Sequence, residues 1–147
     1  MDFSALTTIA LSDYTEEIFV PEFGRKHGYF PFKPAINASH PIDSLMLSGA
    51  SIFGLDIKAK CRRKWYEDTG CDYNDIKTYL KLPFPVYLLW CCPIEKRVYG
   101  NWLNVLKDCM TIEGSCAYFP LNRMIPFRDL TNDETKFILD NTRSKYY

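Results

Sequence analysis

Asp43, Asp56 and Lys58 occupy positions that strand geometry brings together. Gly49-Ala50 separates two segments of strand character, and glycine at the first central position is what a two-residue type II′ hairpin turn prefers. With Ser48 and Ser51 flanking the turn, Asp43 and Asp56 each lie five residues away from it, so the register sets them opposite one another. Cβ atoms of such a pair are about 5 Å apart, and opposed carboxylates destabilise a plain hairpin. The pair therefore calls for a cation. Lys58 can supply one, since Asp56, Lys58 and Lys60 share one face of the second strand while Leu55, Ile57 and Ala59 share the other. A divalent metal ion held by both carboxylates is the alternative.

Composition limits what can position these groups. The chain has 147 residues, 47% hydrophobic and 16% aromatic, which excludes a disordered or fibrous protein and suits a single domain over 1–147. The longest apolar run, Val86–Cys92, is far short of the roughly 20 residues of a membrane span. Met1-Asp2-Phe3-Ser4 lacks the basic start of a signal peptide, so a cytoplasmic location is expected. The six cysteines form no CxxC pair and neither histidine lies at zinc-ligand spacing from them, so reduced thiols are expected. Lys+Arg and Asp+Glu balance at 18 each. That zero is a sum, however: residues 1–50 carry six acids and three bases, and residues 51–100 carry nine bases and six acids.

The local signals predict the following elements. A helix spans 12–27, with Ser12 as cap, Arg25 and Lys26 at its end and Gly28 as stop; Pro21 should bend or divide it. A short strand at 29–33 precedes hairpin strands at 40–48 and 51–61. Beyond the basic run 58–64 lies a loop with Thr69-Gly70, then a helix at 72–82 with Ile76, Tyr79 and Leu80 at core spacing. The apolar run 85–92 suits a strand buried on both faces and reached by a helical crossover, hence parallel to an earlier strand. Residues 93–96 turn the chain and 97–99 pair back. A short edge strand is expected at 118–121. A final helix spans 132–142, where Thr131 and Glu134 form a capping box. The fold class is α/β, a mixed central β-sheet flanked by helices.

Pro41-Ile42-Asp43, followed after twelve residues by Asp56-Ile57-Lys58, resembles the signature of the PD-(D/E)XK nuclease superfamily, with Ile42 interrupting the strict Pro-Asp dipeptide. The element order is similar to its α-β-β-β-α-β restriction-endonuclease-like core. Thr69-Gly70-Cys71-Asp72, Tyr79 and Tyr99-Gly100 are similar to small phage and resolvase-like members. The resemblance covers about 15–106 and leaves 107–147 as a C-terminal extension. It implies a metal-dependent nuclease acting on DNA, with Mg²⁺ or Mn²⁺ held by Asp43, Asp56 and the Ile57 carbonyl. It also implies a glutamate from the first helix. Of Glu16, Glu17 and Glu22, the residue eleven positions before Gly28 is Glu17. Lys58 would position the attacking water or stabilise the phosphorane.

Lys60, Arg62, Arg63 and Lys64, extended by Lys77, are placed to grip phosphates beside the scissile bond. Trp65, Tyr66 and Tyr73 interleave with these charges and suit either base stacking or packing. His40 reads as a loop residue and His27 as a helix end. A homodimer would pair two active sites. The alternative function is a non-catalytic, phage-encoded interaction protein or inhibitor that keeps the nuclease fold.

Overall fold

The computed structural model describes residues 3–32 and 42–141, with side chains from 15–32 and 42–140. Lys33, His40, Pro41 and Thr142 lie outside the described residues.

The first helix, α1 (Phe3–His27), is longer than predicted and passes through Pro21 as one assigned element. No glycine or proline interrupts residues 3–20, so Ser12 lies inside the helix and does not cap it. Phe19, Val20 and Phe23 form its buried stripe, and Phe23 packs on Tyr87 and Phe53 of the sheet.

Strand β1 (Phe30–Phe32) pairs antiparallel with β2 (Ser44–Ser48), which pairs antiparallel with β3 (Ser51–Ala59) in the predicted register, Ser48 opposite Ser51. At the turn Gly49 has φ +56° and Ala50 has no positive φ, the combination of signs a type II′ turn requires. The chain continues through β4 (Asp68–Asp72) and α2 (Tyr73–Leu80) to β5 (Val86–Cys92). Strand β5 is buried at every residue and runs parallel to β3, as its unbroken apolar run predicts. Strand β6 (Arg97–Trp102) returns antiparallel to it, followed by a single helical turn, α3 (Leu103–Leu106).

The last third departs most from expectation. Strands β7 (Thr111–Glu113) and β8 (Cys116–Pro120) form a second sheet with β4, in the order β4-β8-β7. The Thr69-Gly70 segment is thus a strand and not a loop, and β8 is central and not an edge. Gly70 allows this pairing, because a Cβ there would run into the Ala117 carbonyl. The Gly70 carbonyl also accepts the Trp90 indole N–H at 3.1 Å, tying the small sheet to β5. Strand β9 (Ile125–Asp129) then completes the main sheet, whose order is β1-β2-β3-β5-β6-β9. The final helix α4 (Asn132–Asn141) starts with the predicted capping box, Glu134 N–H to Thr131 Oγ1 at 3.1 Å and Thr131 N–H to Glu134 Oε1 at 2.9 Å.

The expectation of six reduced thiols is corrected. Cys61 and Cys92 form a disulfide with a Cα–Cα distance of 4.3 Å. Cys61 lies two residues beyond the end of β3 and Cys92 is the last residue of β5, and the β3–β5 register that sets Ala59 beside Cys91 brings them together. Cys71 and Cys91 remain buried thiols, pushed up to about 12 by desolvation. Among the described residues no helix is long and apolar enough to cross a membrane.

Candidate active site

The site forms where β2, β3 and α2 converge. Asp56 and Lys58 share one face of β3, and Lys58 Nζ lies 2.9 Å from Asp56 Oδ2. Strand alternation also assigns the backbone of β3: the Gly54 N–H goes to the Pro85 carbonyl on the β5 side at 2.8 Å, so the amides of Leu55 and Ile57 face β2.

The β2–β3 ladder ends at Ser44 opposite Leu55, one pair short of the predicted Asp43–Asp56 pair. Instead the Asp43 carboxylate supplies the next acceptor, taking the Ile57 N–H on Oδ2 at 2.6 Å. The Ile57 carbonyl points to the same side as its own N–H, so it faces the edge that Asp43 occupies.

Helix α2 brings two further groups. Asp72 caps it, accepting the Asn74 N–H at 2.9 Å, and this phase sets Asp75 and Tyr79, four apart, on one face. The Tyr79 hydroxyl donates to Asp56 Oδ2 at 2.6 Å and accepts from Lys58 Nζ at 2.9 Å. Lys58 also donates to Asp75 Oδ2 at 2.9 Å. Ile76 and Tyr79 are buried as predicted, whereas Leu80 is exposed. Sequence reasoning missed Asp75 and the polar role of Tyr79. The available signal was the Asp72 cap, which fixes which face of the helix both residues share.

Burial and acid crowding together set the electrostatics. The Asp43 carboxyl is pushed up to about 9 by burial, by the charge of Asp56 and by a hydrogen bond with Glu16, while the Ile57 N–H works in the opposite direction. Burial favours neutral Lys58, but Asp56, Tyr79 and Asp75 outweigh it and its pKa rises, so the ammonium stays charged through the neutral range. Burial and the Asp56 charge likewise raise Tyr79.

Of the helix acids, Glu16 is the one bonded to Asp43. Glu17 is exposed on α1, and with Glu16, Asp43 and Ser44 it lines a cavity of about 270 Å³. Glu22 is engaged elsewhere, accepting from Arg128 Nε at 2.6 Å. No cluster of three or more His, Cys, Asp or Glu among the described residues is drawn to metal-holding spacing. The donors present are two neighbouring carboxylates and a strand carbonyl facing one edge. That set fits Mg²⁺, which is commonly bound by one or two carboxylates and completed by water and substrate phosphate.

The basic residues divide into two groups. Arg63 is held internally, bonding Asp68 at 2.8 and 2.6 Å and Glu113 at 2.5 Å. Arg62 donates to the Tyr66 carbonyl at 3.0 Å and lies 3.6 Å from Glu95. Lys60, Lys64 and Lys77 instead rest their ammonium groups over aromatic rings, those of Tyr118, Trp65 and Tyr73. Lys64 and Lys77 are exposed.

No protein-family model matches the chain, and no curated protein matches its sequence. Its fold is similar to a solved structure of Archaeoglobus fulgidus Hjc, a Holliday junction resolvase from an archaeal hyperthermophile. The TM-score is 0.58 at 9% sequence identity, covering 79% of this chain and 91% of that chain. At that identity the likeness establishes the fold alone: a mixed α/β architecture with a central mixed sheet flanked by helices.

Proposed function

We propose that the chain is a divalent-metal-dependent nuclease that hydrolyses phosphodiester bonds in DNA. The observation that carries this reading is the convergence of Asp43, Asp56 and Lys58 at one end of the β2–β3 hairpin, with Asp43 in the field of Asp56. The likeness to a resolvase fold and the Asp43…Asp56-Ile57-Lys58 signature support it from two other directions.

Asp43, Asp56 and the Ile57 carbonyl would hold Mg²⁺ or Mn²⁺, with Glu16 against Asp43 and Glu17 at the cavity rim as further acids. When bound, such an ion lowers the pKa of its water and neutralises phosphoryl charge. The protein's own share is orientation and charge. Tyr79 fixes Asp56 by a hydrogen bond, so that carboxylate presents one orientation. Lys58 stays protonated, which makes it a stabiliser of negative charge on the phosphoryl oxygens and not a general base. Exposed Lys64 and Lys77, with Lys60, can meet flanking phosphates, whereas Arg62 and Arg63 first have to leave their acids. Two copies associated as a homodimer would place two such sites on the two strands.

One observation favours a second reading, a non-catalytic binder: Lys58 is already enclosed by Asp56, Asp75 and Tyr79. Both readings are tested by incubating supercoiled DNA, linear DNA and RNA with Mg²⁺ or Mn²⁺ and the wild type, Asp56→Asn and Lys58→Met proteins. Metal-dependent cutting that both substitutions abolish is the expected result. Cutting that survives either one overturns the mechanism, and binding without cutting establishes the second reading.

A further inference from the structure

The loop joining β3 to β4, residues 60–67, is held closely, yet it leaves its largest side chain in solvent. The Arg63 N–H donates to the Asp68 carbonyl at 3.0 Å and its guanidinium grips the Asp68 carboxylate twice. Arg62 closes the loop onto the Tyr66 carbonyl at 3.0 Å, and the Leu121 N–H donates to the Glu67 carbonyl at 3.0 Å. Arg63 also lies over the rings of Tyr66 and Tyr118, 4.0 and 3.6 Å from their centroids. Asp68 and Glu113 offset its charge, so Arg63 serves as the fastener of the loop.

The product of this fastening is Trp65, 81% exposed, with the Lys64 ammonium 5.0 Å from its ring. The loop is also continuous with the candidate site. Lys60 lies one residue beyond the end of β3, two residues after Lys58, and its ammonium lies 6.0 Å from the ring of Tyr118, the same ring that Arg63 covers. An indole held out on a fixed loop, with cations before it and beside it, matches the repeat of a nucleic acid strand, a flat base followed by a phosphate.

We propose that Trp65 is a base-stacking residue that takes an unpaired nucleobase, with Lys64 and Lys60 meeting the adjoining phosphates. The substrate class is therefore nucleic acid with unpaired bases near the scissile bond, because in a continuous duplex neighbouring pairs cover each base face. This rests on the nuclease reading and narrows it.

Trp65→Ala and Trp65→Phe remove or reduce the ring at an exposed position and leave the core intact. Equilibrium binding in EDTA, where cleavage is suppressed, is measured for four labelled probes: a DNA duplex, the same duplex with a central unpaired loop, single-stranded DNA and single-stranded RNA. Trp65→Ala is expected to weaken the looped and single-stranded probes roughly tenfold and the duplex by less than about twofold, with Trp65→Phe retaining most of the affinity. Whether the DNA or the RNA strand shows the loss identifies the source of the base. Equal loss on all four probes, no loss on any, or a wild type that binds none of them overturns the proposal. The two readings fail separately. Asp56-dependent cleavage with unchanged affinity of Trp65→Ala removes only the stacking role, and Trp65-dependent binding with no metal-dependent cleavage removes only the nuclease.

Discussion

Asp43 Oδ2 accepts the Ile57 N–H at 2.6 Å, so one carboxylate both ends the β2–β3 ladder and stands within the field of Asp56. The arrangement has a cost without metal. Burial, the charge of Asp56 and the Glu16 hydrogen bond push the Asp43 carboxyl from its ordinary value of 3.8, held when unfolded, up to about 9 when folded. Between those values the unfolded chain has released a proton that the folded chain keeps, so stability declines as pH rises through that window. Asp43→Asn keeps an oxygen for Ile57 and removes the titration. In EDTA its melting temperature should fall less steeply from acid to alkaline pH than the wild type's. Mg²⁺ should raise the wild-type value at alkaline pH and leave Asp43→Asn unmoved; parallel profiles would refute this.

Lys58 and Tyr79 can be separated kinetically. Lys58→Met removes the only one of the two that carries charge, and single-turnover cleavage should fall about 10²–10³-fold, the scale of losing one transition-state charge stabiliser. Tyr79→Phe leaves the 2.9 Å contact between Lys58 and Asp56 in place. Its loss should be smaller and should grow when Mg²⁺ is subsaturating, since the hydroxyl orients Asp56. A Tyr79→Phe protein slower than Lys58→Met would reverse the assigned roles.

A second acid titrates in the opposite sense. Bonds from Arg128 hold the Glu134 carboxyl below its ordinary value of 4.5, down to about 2. Its contribution to stability is complete above the unfolded value and is lost as pH falls through the folded one. Glu134→Gln keeps the oxygen that caps Thr131 but gives up the ion pair with Arg128. Acid unfolding monitored by circular dichroism should therefore begin at higher pH in this variant than in the wild type.

The Cys61–Cys92 bond closes a separation of 31 residues. By chain entropy a loop of that size is worth roughly 3–4 kcal/mol. Paired Cys61→Ala and Cys92→Ala substitution should lower the melting temperature by about 10 °C. Dithiothreitol should lower the wild-type value and leave the double variant unchanged.

Local chemistry made some features legible and long-range pairing hid others. The Gly49-Ala50 turn, the buried parallel run of β5 and the Thr131–Glu134 cap each depend on residues close in sequence, and each appears as read. Strand β4 does not, because its partner is β8 and the Thr69-Gly70 pair looks like a turn until Ala117 lies against it. The disulfide was hidden for the same reason: two cysteines become neighbours only once β3 and β5 are in register. At the site, hairpin symmetry brings Asp43 near Asp56, but it cannot show that a side chain replaces the last ladder pair. Nor can an acidic helix alone show that Glu16, rather than its neighbour Glu17, is the residue bonded to Asp43.

The return of β9 to the edge of β6, and of β8 to β4, also governs when the molecule can exist. A ribosome delivers Asp43, Asp56, Lys58 and Tyr79 well before Cys116, so every group of the site is synthesised before the strand that β4 requires. Until residue 129 emerges, β6 presents an open edge of the kind that pairs with other chains. The emerging polypeptide thus carries an unpaired edge in the interval between the sixth strand and the ninth, where a holding chaperone would protect it.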